Sequence, residues 1–253
     1  MVIDSCVCDE AQNIGKLLSF DSVQLSLVHR PYYEVGSNSS KHIELIKDVL
    51  KHIASVTKVG GVCCLITSSD MKPENQGMDL TETKALLASQ DDPEISSKWV
   101  FYDKILWVKS PKKAVESLNP MEEISMVSFD ETPFSIIEVL IRSDSNEDFK
   151  ESTIPQRINN LKISSAKKME MLEPFWYISP KSEPGYKDYF PKELIARLVM
   201  IFSKEGDLIL DPFAGHGITA IAAKTLNRHY FCIEKNSSKV IAANKRIKLF
   251  NKI

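Results

Sequence analysis

No apolar run in this chain approaches the ~18 residues that a membrane-spanning helix needs, and the start MVIDSCVCDE lacks the charged and apolar regions of a secretory signal. A cytoplasmic protein without a membrane partner is expected. Cysteine is scarce and odd in number: Cys6, Cys8, Cys63, Cys64 and Cys232. Cys6 and Cys8 have no matching pair at metal-ligand spacing, and Cys63 and Cys64 sit within an apolar run. Buried reduced thiols are expected, with neither a disulfide framework nor a metal site. Net charge is also nearly absent, at −2, so no strong affinity for a polyanion can be read from the total. Its distribution is uneven. From Lys181 onward there are 13 Lys and Arg against 7 Asp and Glu, which leaves the rest of the chain acidic and allows a basic face. Charged residues at 26% and hydrophobic residues at 43% give globular rather than disordered composition, enough for one α/β domain or a domain with an insertion.

The stretch Asp207 to Val240, DLILDPFAGHGITAIAAKTLNRHYFCIEKNSSKV, organises the rest. Leu208, Ile209 and Leu210 read as a buried parallel strand. The chain turns through Asp211, Pro212, Phe213, Ala214, Gly215, His216 and Gly217 into helical composition from Thr219 to Leu226. A second strand, Tyr230 to Ile233, ends on Glu234, 23 residues after Asp211. This is the spacing of a βαβ nucleotide unit, in which glycines admit the ligand to the backbone and the second acid accepts ribose hydroxyls. The loop lacks the Lys–Ser/Thr pair of a phosphate-cradling P-loop and the third glycine of the dinucleotide fingerprint. A nucleoside cofactor without phosphate fits better. Asp211 would repel phosphate and attract a cation, and S-adenosylmethionine carries both the cation and the ribose.

Upstream, Val2 to Val7 reads as a first strand with Asp9 past its end, followed by a helix-like Ala11 to Leu18. The run SVQLSLV, ending at Val28, reads as a core strand that delivers His29, Arg30, Pro31, Tyr32 and Tyr33 into a loop. The polar residues 34–40 suit an active-site segment or a plain surface loop. From His42 to Val56, Ile43, Ile46, Val49, Leu50 and Ile53 recur along one helical face, and Gly60-Gly61 turns the chain into a strand from Val62 to Thr67. His52 reads as a surface or packing residue. Residues 68–97 are turn-rich, with a short helix over Thr81 to Gln90. Trp99, Phe101 and Tyr102 precede a strand, KILWVKS, that contains Trp107. These aromatics suit base stacking or the core equally. Between 111 and 175 acidic patches alternate with apolar runs, Phe134 to Ile141 reads as a strand, and a basic, amide-rich stretch follows. Arg157, Lys162, Lys167 and Lys168 would contact phosphates if the segment recognises nucleic acid; the alternative is a solvated subdomain. The aromatic and proline residues Tyr189, Phe190 and Pro191 lead to a helix from Lys192 to Phe202.

In order and in wording the chain resembles the circularly permuted, beta-class amino-group DNA methyltransferases, which act on N6 of adenine or N4 of cytosine. The resemblance rests on an early acid (Asp9), SVQLSLVHRPYY at the place of the catalytic tetrapeptide, KVGGVCCLIT, KILWVK, YFPKELIARLV, GDLILDPFAGHGITAIAA, YFCIEKN and AANKRIK. It covers nearly the whole chain outside 111–175. It implies a class I, Rossmann-like methyltransferase fold: an α/β architecture with a mostly parallel seven-stranded sheet, helices on both faces and permuted strand order. Residues 1–110 would form the half with the catalytic loop, 111–175 a variable target-recognition insertion, and 176–253 the half with the cofactor loop.

The implied activity is S-adenosylmethionine-dependent methylation of double-stranded DNA by base flipping, with N6 of adenine as the expected target and restriction-modification as the setting. Asp211, Phe213, Gly215, Gly217 and Thr219 would form the cofactor loop, and Glu234 would bind the ribose. Phe190 and Pro191 would line the site, and Asp9 would approach the adenine. Tyr33 would join the four basic residues on DNA, and a dimer, with itself or with a homologous methyltransferase, is a further implication.

The catalytic words differ. The family carries Asp, Asn or Ser, then Pro-Pro and an aromatic, where this chain carries His29, Arg30, Pro31 and Tyr32. The first residue and the first proline's carbonyl accept the hydrogen bonds of the target amino group, while the aromatic stacks on the flipped base. A neutral His29 offers one acceptor, and Arg30 keeps its carbonyl but loses proline's rigidity. His216 and Ile218 also replace a small hydroxyl residue and a threonine. Two alternatives therefore accompany the enzyme: a weak or silent methyltransferase-like subunit partnering DNA or an active homologue, and a methyltransferase of RNA or protein.

Overall fold

Hydrophobic residues fall on both sides of nearly every strand, which requires helices on both faces of one sheet. The structure, a computed structural model, describes residues 3–29, 39–68, 71–72, 77–78, 85, 88–109, 134–144, 154–179 and 190–250. The chain runs β1 (Ser5–Cys8), a 3-10 turn (Ala11–Asn13), α1 (Ile14–Leu17), β2 (Val23–His29), α2 (Ser39–Val56) and β3 (Thr57–Ser68). A small ribbon of β4 (Met71–Lys72) and β5 (Gly77–Met78) comes next, then α3 (Pro93–Ser96), β6 (Trp99–Val108) and β7 (Phe134–Arg142). It continues through α4 (Ile154–Asn159), α5 (Ser165–Leu172), β8 (Phe175–Tyr177), α6 (Lys192–Phe202), β9 (Leu208–Asp211), α7 (Ile218–Thr225), β10 (His229–Glu234) and α8 (Ser237–Leu249).

The main sheet has the order β1-β10-β9-β2-β3-β7-β6-β8. The first five strands are mutually parallel, β7 is antiparallel to both neighbours, and β8 pairs parallel to β6. Among the described residues the sheet has eight strands, not the seven expected. The extra strand is three residues long with only Trp176 buried, too short for alternation to reveal it.

Alternation does explain the layers. Leu25, Leu27, Cys64, Ile66, Ile209 and Cys232 point to one face, where α6, α7 and part of α8 bury Leu194, Leu198, Ile221 and Ala243. Val28, Cys63, Leu65, Leu210 and Ile233 point to the other, against Ile46, Val49, Leu50 and Ile53 of α2. Each leucine, isoleucine or valine among them, fully buried, contributes about 1.5–3 kcal/mol. The expected face of α2 is borne out.

Two local readings change and one open alternative is decided. Gly60 and Gly61 lie inside β3, not in a turn before it. The register jumps from Val23↔Thr57 to Leu25↔Val62, and the glycines absorb the extra residues. Gly60 takes φ +78°, and a Cβ on Gly61 would sit 2.6 Å from Thr57 Cγ2 and 2.8 Å from the Lys58 carbonyl oxygen. Next, β7 lies between β3 and β6, so residues 134–142 belong to the sheet although they fall within the 111–175 segment. Finally, Trp99 and Trp107 are core residues. Both are buried, and their indole N–H groups donate to the carbonyls of Leu50 (3.1 Å) and Ile178 (2.8 Å). Phe101 and Tyr102 are partly buried against the two cores.

All five cysteines are free; Cys8 alone is exposed. No described helix is long and apolar enough to cross a membrane, and among the described residues no group of three His, Cys, Asp or Glu is arranged to hold a metal.

Candidate cofactor and catalytic site

Because β1, β10, β9 and β2 are parallel neighbours, their carboxyl ends share one rim. Four polar residues stand there: Asp9 just past β1, Glu234 closing β10, Asp211 closing β9 and His29 closing β2. His29 is the last residue of its strand, not part of the loop after it.

Asp211 is fully buried. Its Oδ1 accepts from the Phe213 N–H at 2.9 Å and its Oδ2 from the Thr219 hydroxyl at 2.6 Å. Thr219 therefore braces the carboxylate rather than the helix end. Gly217 is the N-cap of α7, and no side chain caps that helix. Glu234 accepts from Gly215 N–H at 3.0 Å through Oε2 and from Asn236 N–H at 2.9 Å through Oε1. Each oxygen keeps a lone pair. Among the described residues no Lys or Arg is paired with either acid.

The loop between them depends on two left-handed glycines. Gly215 has φ +52° and open space where a Cβ would stand. Gly217 has φ +78°, and a Cβ there would press on Ala243 Cβ and Ile247 Cδ1 at 3.2 Å. Gly217→Ala is thus expected to cost about 2 kcal/mol, lowering the melting temperature by roughly 4–8 °C. Gly215→Ala carries only the backbone penalty, so calorimetry should rank it the milder change. Arg246, buried on α8, donates to the His216 carbonyl at 3.2 Å and fastens the loop from below. Sequence reasoning missed this arginine; its place on the inner face of the last helix, beside Ile247, is the available signal.

Asp9 sits beside Glu234, its N–H donating to the Glu234 carbonyl at 3.3 Å. The Asn13 amide, then the Glu10 N–H, hold the Asp9 carboxyl below its usual range. Burial, reinforced by Asp211 and Glu234, pushes the Cys6 thiol up to about 12. Burial and Asp211 raise Cys232 as well, so neither of these two buried thiols is poised as a thiolate nucleophile.

His29 is buried, with its Nε2 3.6 Å from Asp211 Oδ2 and neither ring nitrogen hydrogen-bonded. Its ring leans on Phe190, centroids 4.8 Å apart, and Phe190 in turn packs at 5.6 Å on Trp107. Pro191 follows as the N-cap of α6. The structure thus brings together Asp9, His29, Phe190, Pro191, Asp211, Phe213, Gly215, Gly217, Thr219 and Glu234. Arg30, Pro31, Tyr32 and Tyr33 lie outside the described residues. Arg157, Lys162, Lys167 and Lys168 are on or between α4 and α5, ahead of β8 at the opposite edge of the sheet from β1. Lys162 and Lys167 lie toward solvent, while Lys168 Nζ donates to the Asn159 carbonyl at 2.5 Å.

The DNA methylase family of N6/N4 methyltransferases matches residues 19–245. The chain belongs to this family. As a DNA methylase family member it is 25% identical over 240 residues to the type II methyltransferase M2.DpnII of Streptococcus pneumoniae, covering 94% of this chain and 76% of that one. Over 76 residues it is 36% identical to M.BglI of Bacillus subtilis, a match of 30% of this chain that spans only 22% of that enzyme's length. Among solved structures, a Thermus thermophilus protein in complex with S-adenosyl-L-methionine has the same fold, with TM-score 0.72, 19% identity, and coverage of 96% and 92% of the two chains. PvuII DNA methyltransferase, described as cytosine-N4-specific, gives 0.69 at 13% identity over 98% and 86%.

Proposed function

We propose that this DNA methylase binds S-adenosylmethionine across the Asp211–Glu234 rim and methylates an exocyclic amino nitrogen of double-stranded DNA, N6 of adenine or N4 of cytosine. The observation that carries the reading is a buried carboxylate, Asp211, with no Lys or Arg partner among the described residues, beside a glycine loop with open space over Gly215. The residues fit the cofactor. Glu234 has lone pairs left for the ribose hydroxyls, Asp9 stands next to it on the adenine side, Phe190 and Pro191 line the site, and Asp211 meets positive charge. When bound, S-adenosylmethionine supplies an electrophilic methyl group on a sulfonium.

The chain's own residues would do the rest. Tyr32 stacks on the flipped base, the Arg30 carbonyl accepts one amino hydrogen, and His29 accepts the other through a neutral ring nitrogen. Tyr33, Arg157, Lys162, Lys167 and Lys168 would contact DNA, and the half carrying His29 precedes the cofactor half, which is the permuted order. Residues 1–110, 111–175 and 176–253 then divide into catalytic half, variable recognition segment and cofactor half.

A second reading has its own support. His29 is buried against Asp211 and the Phe190 ring, and this favours a methyltransferase-like subunit that binds cofactor and DNA and relies on a homologous partner for turnover.

Calorimetric titration with S-adenosylmethionine, paired with transfer of labelled methyl groups to unmodified genomic DNA, separates the readings. Saturable binding that weakens in Gly215→Ala is expected, because the added methyl enters the ligand's space. Transfer by the chain alone establishes the enzyme; binding without transfer establishes the subunit. Absence of binding overturns both.

A further inference from the structure

His29 has a second relation to the cofactor that its place in the catalytic words does not require. The alternation of β2 puts Leu25, Leu27 and His29 on one face, and the last of these arrives beside Asp211. A buried imidazole with two unpaired nitrogens, 3.6 Å from a buried carboxylate, is either neutral and unsatisfied or protonated and ion-paired. Among the described residues, the groups around it leave Asp211 as its one charged neighbour. From α7 comes the neutral Thr219 hydroxyl, and from the start of α6 the Phe190 ring. From β3 comes Ile66, its partner in register. Glu234 lies one strand further, its two oxygens already accepting backbone N–H groups. Arg30, next in sequence, is outside the described residues.

We propose that His29 also competes with the cationic cofactor for Asp211: the imidazolium satisfies the carboxylate and excludes the ligand, and the neutral ring releases it. The inference rests on the cofactor reading above and adds a regulation to it. S-adenosylmethionine carries a sulfonium and an ammonium, and a second cation in the same low-dielectric pocket raises the cost of admitting either. Linkage fixes the sign. Ligand binding selects neutral His29, so binding releases a proton, and affinity rises with pH.

Calorimetric titration of the full chain between about pH 5.5 and 8.5 tests this. In the native protein, affinity for S-adenosylmethionine should fall by up to about tenfold per pH unit on the acid side, with about one proton released per ligand in buffers of different ionisation enthalpy. In His29→Gln and His29→Asn, each shown by its melting curve to be folded, both effects should vanish. Adenosine, which has the ribose and base but no cation, should bind the native chain without that slope. The same slope in native and substituted proteins, or with adenosine, overturns the competition while leaving the cofactor reading intact. No binding by any of the proteins at any pH overturns the cofactor reading itself, and the competition with it.

Discussion

Asp211→Asn is expected to lower the affinity for S-adenosylmethionine by about a hundredfold, equivalent to about 2.7 kcal/mol, while the protein melts near the native temperature. The amide keeps the shape of the side chain and one carbonyl oxygen for the Phe213 N–H, and the Thr219 hydroxyl can reverse its donor role. Only the charge is lost. Asp211→Ala removes the hydrogen bonds as well, leaving a part-buried amide and a buried hydroxyl without their partner, the hydroxyl alone at about 1–3 kcal/mol, so it should lose both binding and several degrees of stability. The pair of variants divides electrostatic recognition from architecture. Native affinity in Asp211→Asn would show that the carboxylate serves the loop alone.

The other large effect is a gain. Restoring acceptor and proline in His29→Asn/Arg30→Pro should raise methyl transfer to DNA by a hundredfold or more, since a correctly held neutral acceptor contributes about 0.5–1.5 kcal/mol and orientation supplies the rest. Asparagine is the better choice over aspartate because residue 29 lies against Asp211, where a second carboxylate would add like charge. Residue 29 suits a proline after it: it ends a strand, the extended conformation favoured before proline. Labelled-methyl transfer is the measurement. No gain from a double variant that still binds cofactor would place the defect outside residues 29–30.

The strand, loop, helix and strand of the candidate cofactor site were readable from sequence because they are local. Strand, glycine loop, helix and acidic strand end follow one another within Leu208–Glu234, and their contacts form between near neighbours in the chain. The buried face of α2 was readable for the same reason. What failed was non-local. The place of β7 between β3 and β6 depends on pairing with strands far off in the chain, which no periodicity records. Gly60-Gly61 has the composition of a turn, and only the slipped register against β2 shows why the glycines lie within a strand. Trp107 could as well have stacked on a base until its indole N–H was seen to reach the Ile178 carbonyl. His29 sits between these cases. Its period-two partners Leu25 and Leu27 already point it at the helix face, but the distance to Asp211 belongs to the assembled sheet.

The sheet also sets an order on how the molecule is made. Ser5 pairs with Phe231 and Leu25 with Ile209, so β1 and one edge of β2 stay without their neighbours until the ribosome has delivered residues 208–234. A chain emerging amino end first must hold these apolar strands open through most of its synthesis. Pairing across such separations is slow, and exposed strand edges invite association with other nascent chains. The rim that gathers Asp9, His29, Asp211 and Glu234 therefore stays incomplete until β10 has been made.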